Sequence, residues 1–216
     1  GFALSDLKLF SMKYSLQLRQ TLIKGLPFFM IGVSGWLQSK TDLYILTLVA
    51  GTNSIAAFQL FMGGILVIHA TVAFLVDPMV KFIYRSKDEL IRKLSKFIFT
   101  TGIPIIIVGL TGMMLFLSFL IDGSFDTNSY IYGAAYLIPF LFYAPDMFRL
   151  FKAKKEISVA RINFGGAILN GVLSYFLIQR MGMNGAILGS ALSQWALLLI
   201  FKWPSSDKPE NTGVSL

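Results

Sequence analysis

The sequence predicts an all-α membrane protein, a bundle of six transmembrane helices, from three observations. Of its 216 residues 55% are hydrophobic and 14% are charged, and the mean hydropathy is +0.69, whereas soluble domains are about a quarter charged. The apolar residues fall into segments close to the about 20 residues that a helix needs to cross a hydrocarbon core. The basic residues lie between those segments, mostly on one predicted side of the membrane.

The predicted spans occupy residues 22–49, 55–79, 97–121, 129–148, 162–179 and 183–201. Residues 1–20 alternate apolar and basic residues at helical spacing, which predicts a cytoplasmic linker or interfacial helix. The six-helix lobe then occupies residues 21–202, and the polar residues 203–216 form a cytoplasmic tail. The chain begins without Met and without the pattern of a signal peptide, so we expect it to be a piece of a longer protein.

The distribution of charge predicts the orientation. With the N-terminus in the cytoplasm, all Lys and Arg except Lys40 and Arg180 lie on the cytoplasmic side, and both termini are cytoplasmic. The net charge of +8 is then a signal of topology, with acidic lipid headgroups as the expected contact. Nucleic-acid binding is the competing interpretation, but these charges lie in short loops without a binding fold, so no nucleic-acid partner is expected.

Cysteine is absent, which excludes disulfides, thiolate metal sites and a cysteine nucleophile. The single histidine, His69, has no Glu or Cys at the spacing of metal ligands beside it. We therefore expect no cofactor and no metal site.

The first predicted span contains a polar run from Gln38 to Asp42. The apolar stretches on either side, 25–37 and 43–50, are too short to cross a bilayer alone, so we predict one long helix that carries Lys40 and Asp42 into the membrane. Charges there cost about 2.5–3.5 kcal/mol each on insertion scales and usually face a bundle interior or a watery cavity. Lys40 and Asp42 lie about 200° apart around a helix, so they do not pair on one face.

Each polar residue of the spans has two interpretations. Lys40 either lines a cavity and attracts an anionic group, or extends to the membrane interface. Asp42, which shares a face with Gln38, either binds a hydroxyl or a proton in the cavity or pairs with another helix. His69 is a proton carrier or an interhelical donor. The same choice, cavity wall or interhelical hydrogen bond, applies to Gln59, Asn163, Asn170 and Gln194.

Two further features concern helix packing. Pro139 lies in the middle of its span. Because it lacks a backbone donor it predicts a kink in the helix; the alternative is that it is one of the prolines that are common in membrane helices. Gly185 and Gly189, with Ala186 and Ser190 in the same register, predict close contact between helices.

Three stretches carry a resemblance to a known family. The first, "LIKGLPFFMIGVSGWLQSKTDLYIL", opens with Leu-Pro and has an intramembrane acid, Asp42, about fifteen residues later. The others are "FQLFMGGILVIHATVAFLVDPMVKFIYRSKDELIRKL", with a proline near the cytoplasmic end and a charged loop, and "INFGGAILNGVLSYFLIQRMGMNGAILGSALSQW". From about residue 20 to 202 the chain resembles the Wzx-type flippases of O-antigen and oligosaccharide repeat units, in the superfamily that includes the MATE transporters.

This resemblance implies a fold and a function. Such flippases have two six-helix lobes, and the chain is similar to the C-terminal lobe of the MATE-like fold, which makes the missing N-terminal lobe a partner. The implied activity is not enzymatic: the flippase moves an undecaprenyl-diphosphate-linked oligosaccharide across the bacterial cytoplasmic (inner) membrane, for export of O-antigen and lipopolysaccharide synthesis. The lipid-linked oligosaccharide and membrane lipids are the other partners.

Two other functions compete with transport of a lipid-linked sugar. A MATE-type cation or drug antiporter favours acidic residues in its cavity, whereas here the intramembrane charges include Lys40. A membrane-embedded glycosyl or acyl transferase needs acidic pairs, or a histidine with a carboxylate, near the membrane surface, and the sequence has no such group. The pattern GxxxxGK of ATP-binding loops is also absent, so we expect an ion or substrate gradient to drive transport.

Overall fold

The computed structural model describes residues 4–49, 52–76, 78, 88–120 and 125–202, and these form six α-helices. The helices are α1 (Leu4–Val49), α2 (Thr52–Val76), α3 (Asp88–Leu120), α4 (Thr127–Lys152), α5 (Glu156–Met181) and α6 (Met183–Lys202). The all-helical fold is therefore confirmed for the described residues, and the central part of each predicted span lies in one of these helices; residues 77, 79 and 121 of the predicted spans lie outside the described residues. The predicted tail, 203–216, lies outside the described residues.

Four helices are long and apolar enough to cross a membrane, judged by length and composition: their stretches are Ser54–Val76, Ile91–Phe119, Glu156–Met181 and Met183–Lys202. These four support a membrane-embedded protein. Helix α1 and helix α4 are not among them. In α1 the polar run from Gln38 to Asp42 lowers the hydropathy. Helix α4 begins with the polar residues Thr127 and Asn128 and carries Asp146 and Arg149 near its C-terminal end.

Helix α1 confirms the prediction of one long helix through the polar run. It extends over 46 residues without interruption and contains Pro27, a length of roughly 70 Å. This exceeds a hydrocarbon core of about 30 Å. Residues 18–26 are nearly all exposed, so this part of α1 stands away from the bundle, while the bundle contacts begin further along the helix.

The helices form a chain of contacts around the bundle. Helix α5 packs along both α1 and α6, α6 packs against α4, and α3 connects α4 to α2. The main core is centred on buried side chains of α2 and α4, among them Phe61, Ile65, Leu137 and Leu141. A smaller cluster at the other end of α4 joins Tyr143 to Leu197 and Phe201 of α6. Helix α4 continues through both Pro139 and Pro145.

Candidate functional site

Asp42 lies at the point where α1, α5 and α6 meet, and only 1% of its surface is exposed. Its carboxylate accepts three side-chain hydrogen bonds. From α5, Asn170 Nδ2 donates to Oδ1 at 3.0 Å and Ser174 Oγ donates to the same oxygen at 2.5 Å. From α6, Ser190 Oγ donates to Oδ2. Because both oxygens bind donors from other helices, Asp42 joins three helices at one buried point.

A second set of hydrogen bonds extends this cluster. Asn170 Nδ2 also donates to the backbone carbonyl of Gln38 at 3.2 Å, and Gln38 Nε2 donates to Ser193 Oγ at 3.3 Å. The Ser193 hydroxyl lies 2.8 Å from the carbonyl oxygen of Ser190 and 3.3 Å from Oδ1 of Asn170. Among the described residues, every buried side-chain nitrogen and oxygen has a hydrogen-bond partner. We call these residues of three helices the polar junction: Gln38, Asp42, Asn170, Ser174, Ser190 and Ser193.

Small residues bring the three helices close enough for these bonds. A Cβ atom on Gly189 would lie 2.5 Å from Ser174 Oγ, and one on Gly185 would lie 2.2 Å from the carbonyl oxygen of Leu177. Since a Cβ atom does not approach a backbone oxygen so closely, α5 and α6 can adopt this distance only with glycine at position 185. At Gly189 a Cβ would also lie 3.0 Å from the backbone nitrogen of Ser174, which is a tight contact. The predicted close contact of the glycine face is confirmed, and it places the short serine side chains within reach of Asp42.

Lys40 lies on a different side of α1 from Asp42. It is exposed, and its neighbours one turn before and one turn after are aromatic: Trp36 is 54% exposed and Tyr44 is 59% exposed. Among the described residues, none forms a hydrogen bond or an ion pair with Lys40. The exposed face of α1 therefore presents one cation between two amphipathic rings, and such a face can attract an anion and stack against the face of a sugar ring.

The structure separates the predicted site residues into two groups. It brings Gln38, Asp42 and Asn170 together in the polar junction, where Asn170 is fully buried. Gln59 is exposed on α2. His69 is half-buried, with its ring centroid 4.4 Å from that of Phe140 and 6.3 Å from that of Tyr136 on α4. The polar junction is thus a contact between helices, as the second interpretation of Asp42 and Asn170 predicted.

The three serines of the polar junction were not identified from the sequence as partners of Asp42. One signal was present: Ser174 follows Asn170 by four residues, and Ser193 follows Ser190 by three, so each pair shares a helix face with small residues. Such polar positions on a glycine-rich face indicate an interhelical hydrogen-bond network. Gln194, predicted as a cavity residue or an interhelical bond, accepts a hydrogen bond at Oε1 from the Tyr143 hydroxyl at 2.9 Å and so connects α6 with α4.

Comparison of the chain with protein-family models, with curated proteins and with solved structures finds no match.

Proposed function

We propose that this chain is one six-span lobe of a Wzx-type flippase, which moves an undecaprenyl-diphosphate-linked oligosaccharide across the bacterial cytoplasmic membrane. In this proposal α1 and α4 cross the membrane with the four apolar helices, and the N-terminal lobe of the complete transporter closes a cavity against the exposed face of α1. The proposal rests on the resemblance of three sequence stretches together with the exposure of Lys40.

The observation that carries the proposal is the division of charge on α1. Asp42 is buried and accepts three hydrogen bonds, whereas Lys40, two residues away, is exposed between Trp36 and Tyr44. A lysine at membrane depth is stable when it faces water or an anion rather than acyl chains. A diphosphate carrying a sugar meets both requirements of this face, since the phosphates attract the ammonium group and the sugar ring packs on the aromatic side chains.

The polar junction supports the same function in another way. An alternating-access transporter needs a lobe that keeps its shape while it rotates against its partner. Asp42 ties α1 to α5 and α6 through buried hydrogen bonds, and the glycine face holds α5 against α6. The helix that carries Lys40 is therefore fixed to the rest of the lobe.

The antiporter alternative is supported by one observation, the burial of an acidic side chain among neutral donors. A cation or drug antiporter would use the carboxylate of Asp42 directly. In the described residues that carboxylate is enclosed by three helices and the exposed charge of the polar run of α1 is Lys40, so the anionic lipid-linked substrate fits this lobe better than a cationic drug.

A charge reversal tests the proposal. In a strain whose surface polysaccharide depends on this protein, Lys40→Glu is expected to reduce export by at least about ten-fold, since juxtaposed like charges cost more than about 1.4 kcal/mol. Lys40→Arg is expected to retain export. Lys154→Glu is the matched control, because Lys154 is exposed in the turn between α4 and α5. Unchanged export by a normally inserted Lys40→Glu protein would refute the role of this face.

A further inference from the structure

Helix α4 contains a break in its backbone hydrogen bonding at Pro139. Proline has no N–H, so the carbonyl oxygen of Ala135 loses the backbone donor that a regular helix supplies. Prolines inside helices are among the usual positions at which a helix bends. Helix α4 is nevertheless continuous over its 26 residues. We refer to residues 127–138 as its first half and to residues 140–152 as its second half.

Helix α6 bonds to α4 on both sides of this break. Before the break, the indole N–H of Trp195 donates to the carbonyl oxygen of Ala135 at 3.0 Å. After the break, the hydroxyl of Tyr143 donates to Oε1 of Gln194 at 2.9 Å. Gln194 and Trp195 are consecutive residues, so one short stretch of α6 bonds to both halves of α4 and keeps them in line.

The first half of α4 packs against α2. The ring of Phe61 meets that of Tyr130 edge-on, with 5.4 Å between the two centroids. A Cβ atom on Gly133 would lie 2.7 Å from Cδ1 of Ile65, and both Phe61 and Ile65 are fully buried. The first half of α4 and the middle of α2 therefore form one packed unit.

The second half of α4 packs against α6 and α3. The rings of Tyr143 and Phe201 are stacked, with their centroids 5.3 Å apart. A Cβ atom on Gly102 of α3 would overlap the side chain of Leu141. The two halves of α4 thus have different packing neighbours, and Pro139 lies at the boundary between them.

The first half of α4 is tied to α6 by side-chain hydrogen bonds. One is the bond of Trp195 described above, and in the other Ser129 Oγ donates to Oδ1 of Asn184 at 2.6 Å, near the N-terminal ends of both helices. A single hydrogen bond makes only a small net contribution to stability, so a state in which these bonds are open can be populated as a minor conformer. His69 of α2 contacts Phe140, but this residue adjoins the proline, where a turn of the helix displaces atoms least.

We propose that Pro139 is a hinge and that Trp195 is the latch that keeps it straight. When the indole releases the carbonyl of Ala135, the first half of α4 turns about Pro139 together with the middle of α2. The polar junction keeps α1, α5 and α6 together as the fixed part of the lobe. This inference goes beyond the proposed function, since it concerns movement within the bundle and holds for a flippase and for an antiporter alike.

Distances between spin labels test the hinge. The chain contains no cysteine, so pairs of labelled cysteines can be placed at exposed positions of the full chain and measured by pulsed electron paramagnetic resonance in lipid nanodiscs. The test pair joins Ile131, in the first half of α4, to Ile168 on α5, and the control pair joins Leu48 on α1 to the same Ile168. We expect a main and a minor distance in the test pair, and one distance in the control pair.

Trp195→Phe removes the latch and keeps an aromatic ring at this position. It is expected to raise the population of the minor distance about two- to ten-fold, the equilibrium factor that corresponds to one hydrogen bond, without changing the control pair. In a Pro139→Ala background residue 139 supplies its own N–H, so the same substitution should leave the main distance alone. Pro145→Ala is the matched control background, because it removes a proline from the second half of α4 and keeps the break at Pro139. There Trp195→Phe should still raise the minor distance.

Ser129→Ala removes the other hydrogen bond to α6 and should raise the same minor distance, so it tests the hinge even where Trp195→Phe does not fold. An unchanged test pair in both variants would overturn the hinge. So would a change that spreads to the control pair, or one that persists with alanine at position 139. A minor distance that grows on loss of either bond and vanishes with Pro139→Ala would support the inference.

Discussion

Trp195 on α6 donates its indole N–H to the backbone carbonyl oxygen of Ala135 on α4, at 3.0 Å. In a regular helix this oxygen would accept a hydrogen bond from the amide of residue 139, but residue 139 is proline and has no N–H. A side chain of the neighbouring helix thus replaces the missing backbone donor. Within a membrane this matters, because an unsatisfied carbonyl there costs several kcal/mol.

Because Trp195 replaces the backbone donor missing at Pro139, we expect the effects of mutating these two residues on stability to be coupled. Trp195→Phe removes the donor and is expected to lower the free energy of unfolding by about 0.5–1.5 kcal/mol, the net contribution of one hydrogen bond. In a Pro139→Ala background residue 139 supplies its own N–H, so the same Trp195→Phe change should cost much less. Denaturant unfolding of the four proteins in detergent measures this double-mutant cycle.

If Trp195→Phe were equally destabilising with proline or alanine at position 139, the indole would stabilise the lobe by packing alone. Trp195→Leu serves as a packing control. It removes both the ring and the donor, so it should be more destabilising than Trp195→Phe in both backgrounds.

The polar junction predicts that two substitutions of Asp42 lower the stability of the protein by different amounts. Asp42→Ala leaves the hydroxyls of Ser174 and Ser190 without this acceptor, while Asn170 keeps its bond to the Gln38 carbonyl. Since each buried unpaired group costs about 1–3 kcal/mol, we expect a loss of at least about 2 kcal/mol. Asp42→Asn keeps one acceptor oxygen, and serine hydroxyls can rotate to accept from its amide, so the loss should be smaller. In detergent, the midpoint of thermal unfolding should be highest for the native protein, lower for Asp42→Asn and lowest for Asp42→Ala. An alanine variant as stable as the native protein would show that Asp42 does not hold the helices together.

The contact between α5 and α6 predicts that alanine substitution at two glycines has very different effects on stability. Gly185→Ala places a Cβ where the backbone of Leu177 already lies, so the helices must separate and the protein should lose stability. Gly165→Ala on the open side of α5 meets no atom within 4 Å and should be neutral, or stabilising by about 0.5–1 kcal/mol through helix propensity. Both effects appear in the midpoint of unfolding. The same loss in both variants would mean that helix propensity, and not the close contact, controls this region.

The exposed face of α1 predicts where water reaches. The chain contains no cysteine, so single cysteines can be introduced into it directly. If the chain is a flippase lobe as proposed, Lys40→Cys in the membrane-embedded protein is expected to react with a water-soluble maleimide, because a thiolate forms only in contact with water. Ser34→Cys is the buried control on the same helix, and Val108→Cys is a control at an exposed position in the apolar stretch of α3.

Neither control cysteine should react. A Lys40→Cys protein that is as unreactive as Val108→Cys would place residue 40 against lipid and contradict the cavity. Protection of Lys40→Cys by added lipid-linked oligosaccharide would connect the same position with substrate.

The helical type and the central part of each described helix could be predicted from the sequence, because they depend on local quantities. The bounds could not: α1 begins at Leu4 and α5 at Glu156, well before the predicted spans 22–49 and 162–179. Apolar runs of the length of a span predicted the central part of every helix, and the apolar stretches on either side of Lys40 are too short to cross a bilayer separately, which predicted one continuous α1. The glycines at 185 and 189 predicted close packing for an equally local reason, since only small side chains allow two backbones to approach.

The roles of the polar residues could not be predicted in the same way. Lys40 and Asp42 are both charged, both in α1 and two residues apart, and the periodicity of one helix places them on different sides without indicating which side faces other helices. That depends on where α5 and α6 lie. Once those helices pack against α1, Asn170, Ser174 and Ser190 surround Asp42, and Lys40 remains exposed.

What the sequence by itself determined, then, is a set of apolar helices, a glycine face and two charges within the polar run of α1. Only the tertiary structure decided that Asp42 is enclosed at a junction of three helices, that Lys40 is exposed between Trp36 and Tyr44, and that Trp195 supplies the donor missing at Pro139. The physical reason is that burial and hydrogen bonding in a helical bundle depend on neighbours distant in sequence, whereas the length and hydropathy of a helix depend on its own residues alone.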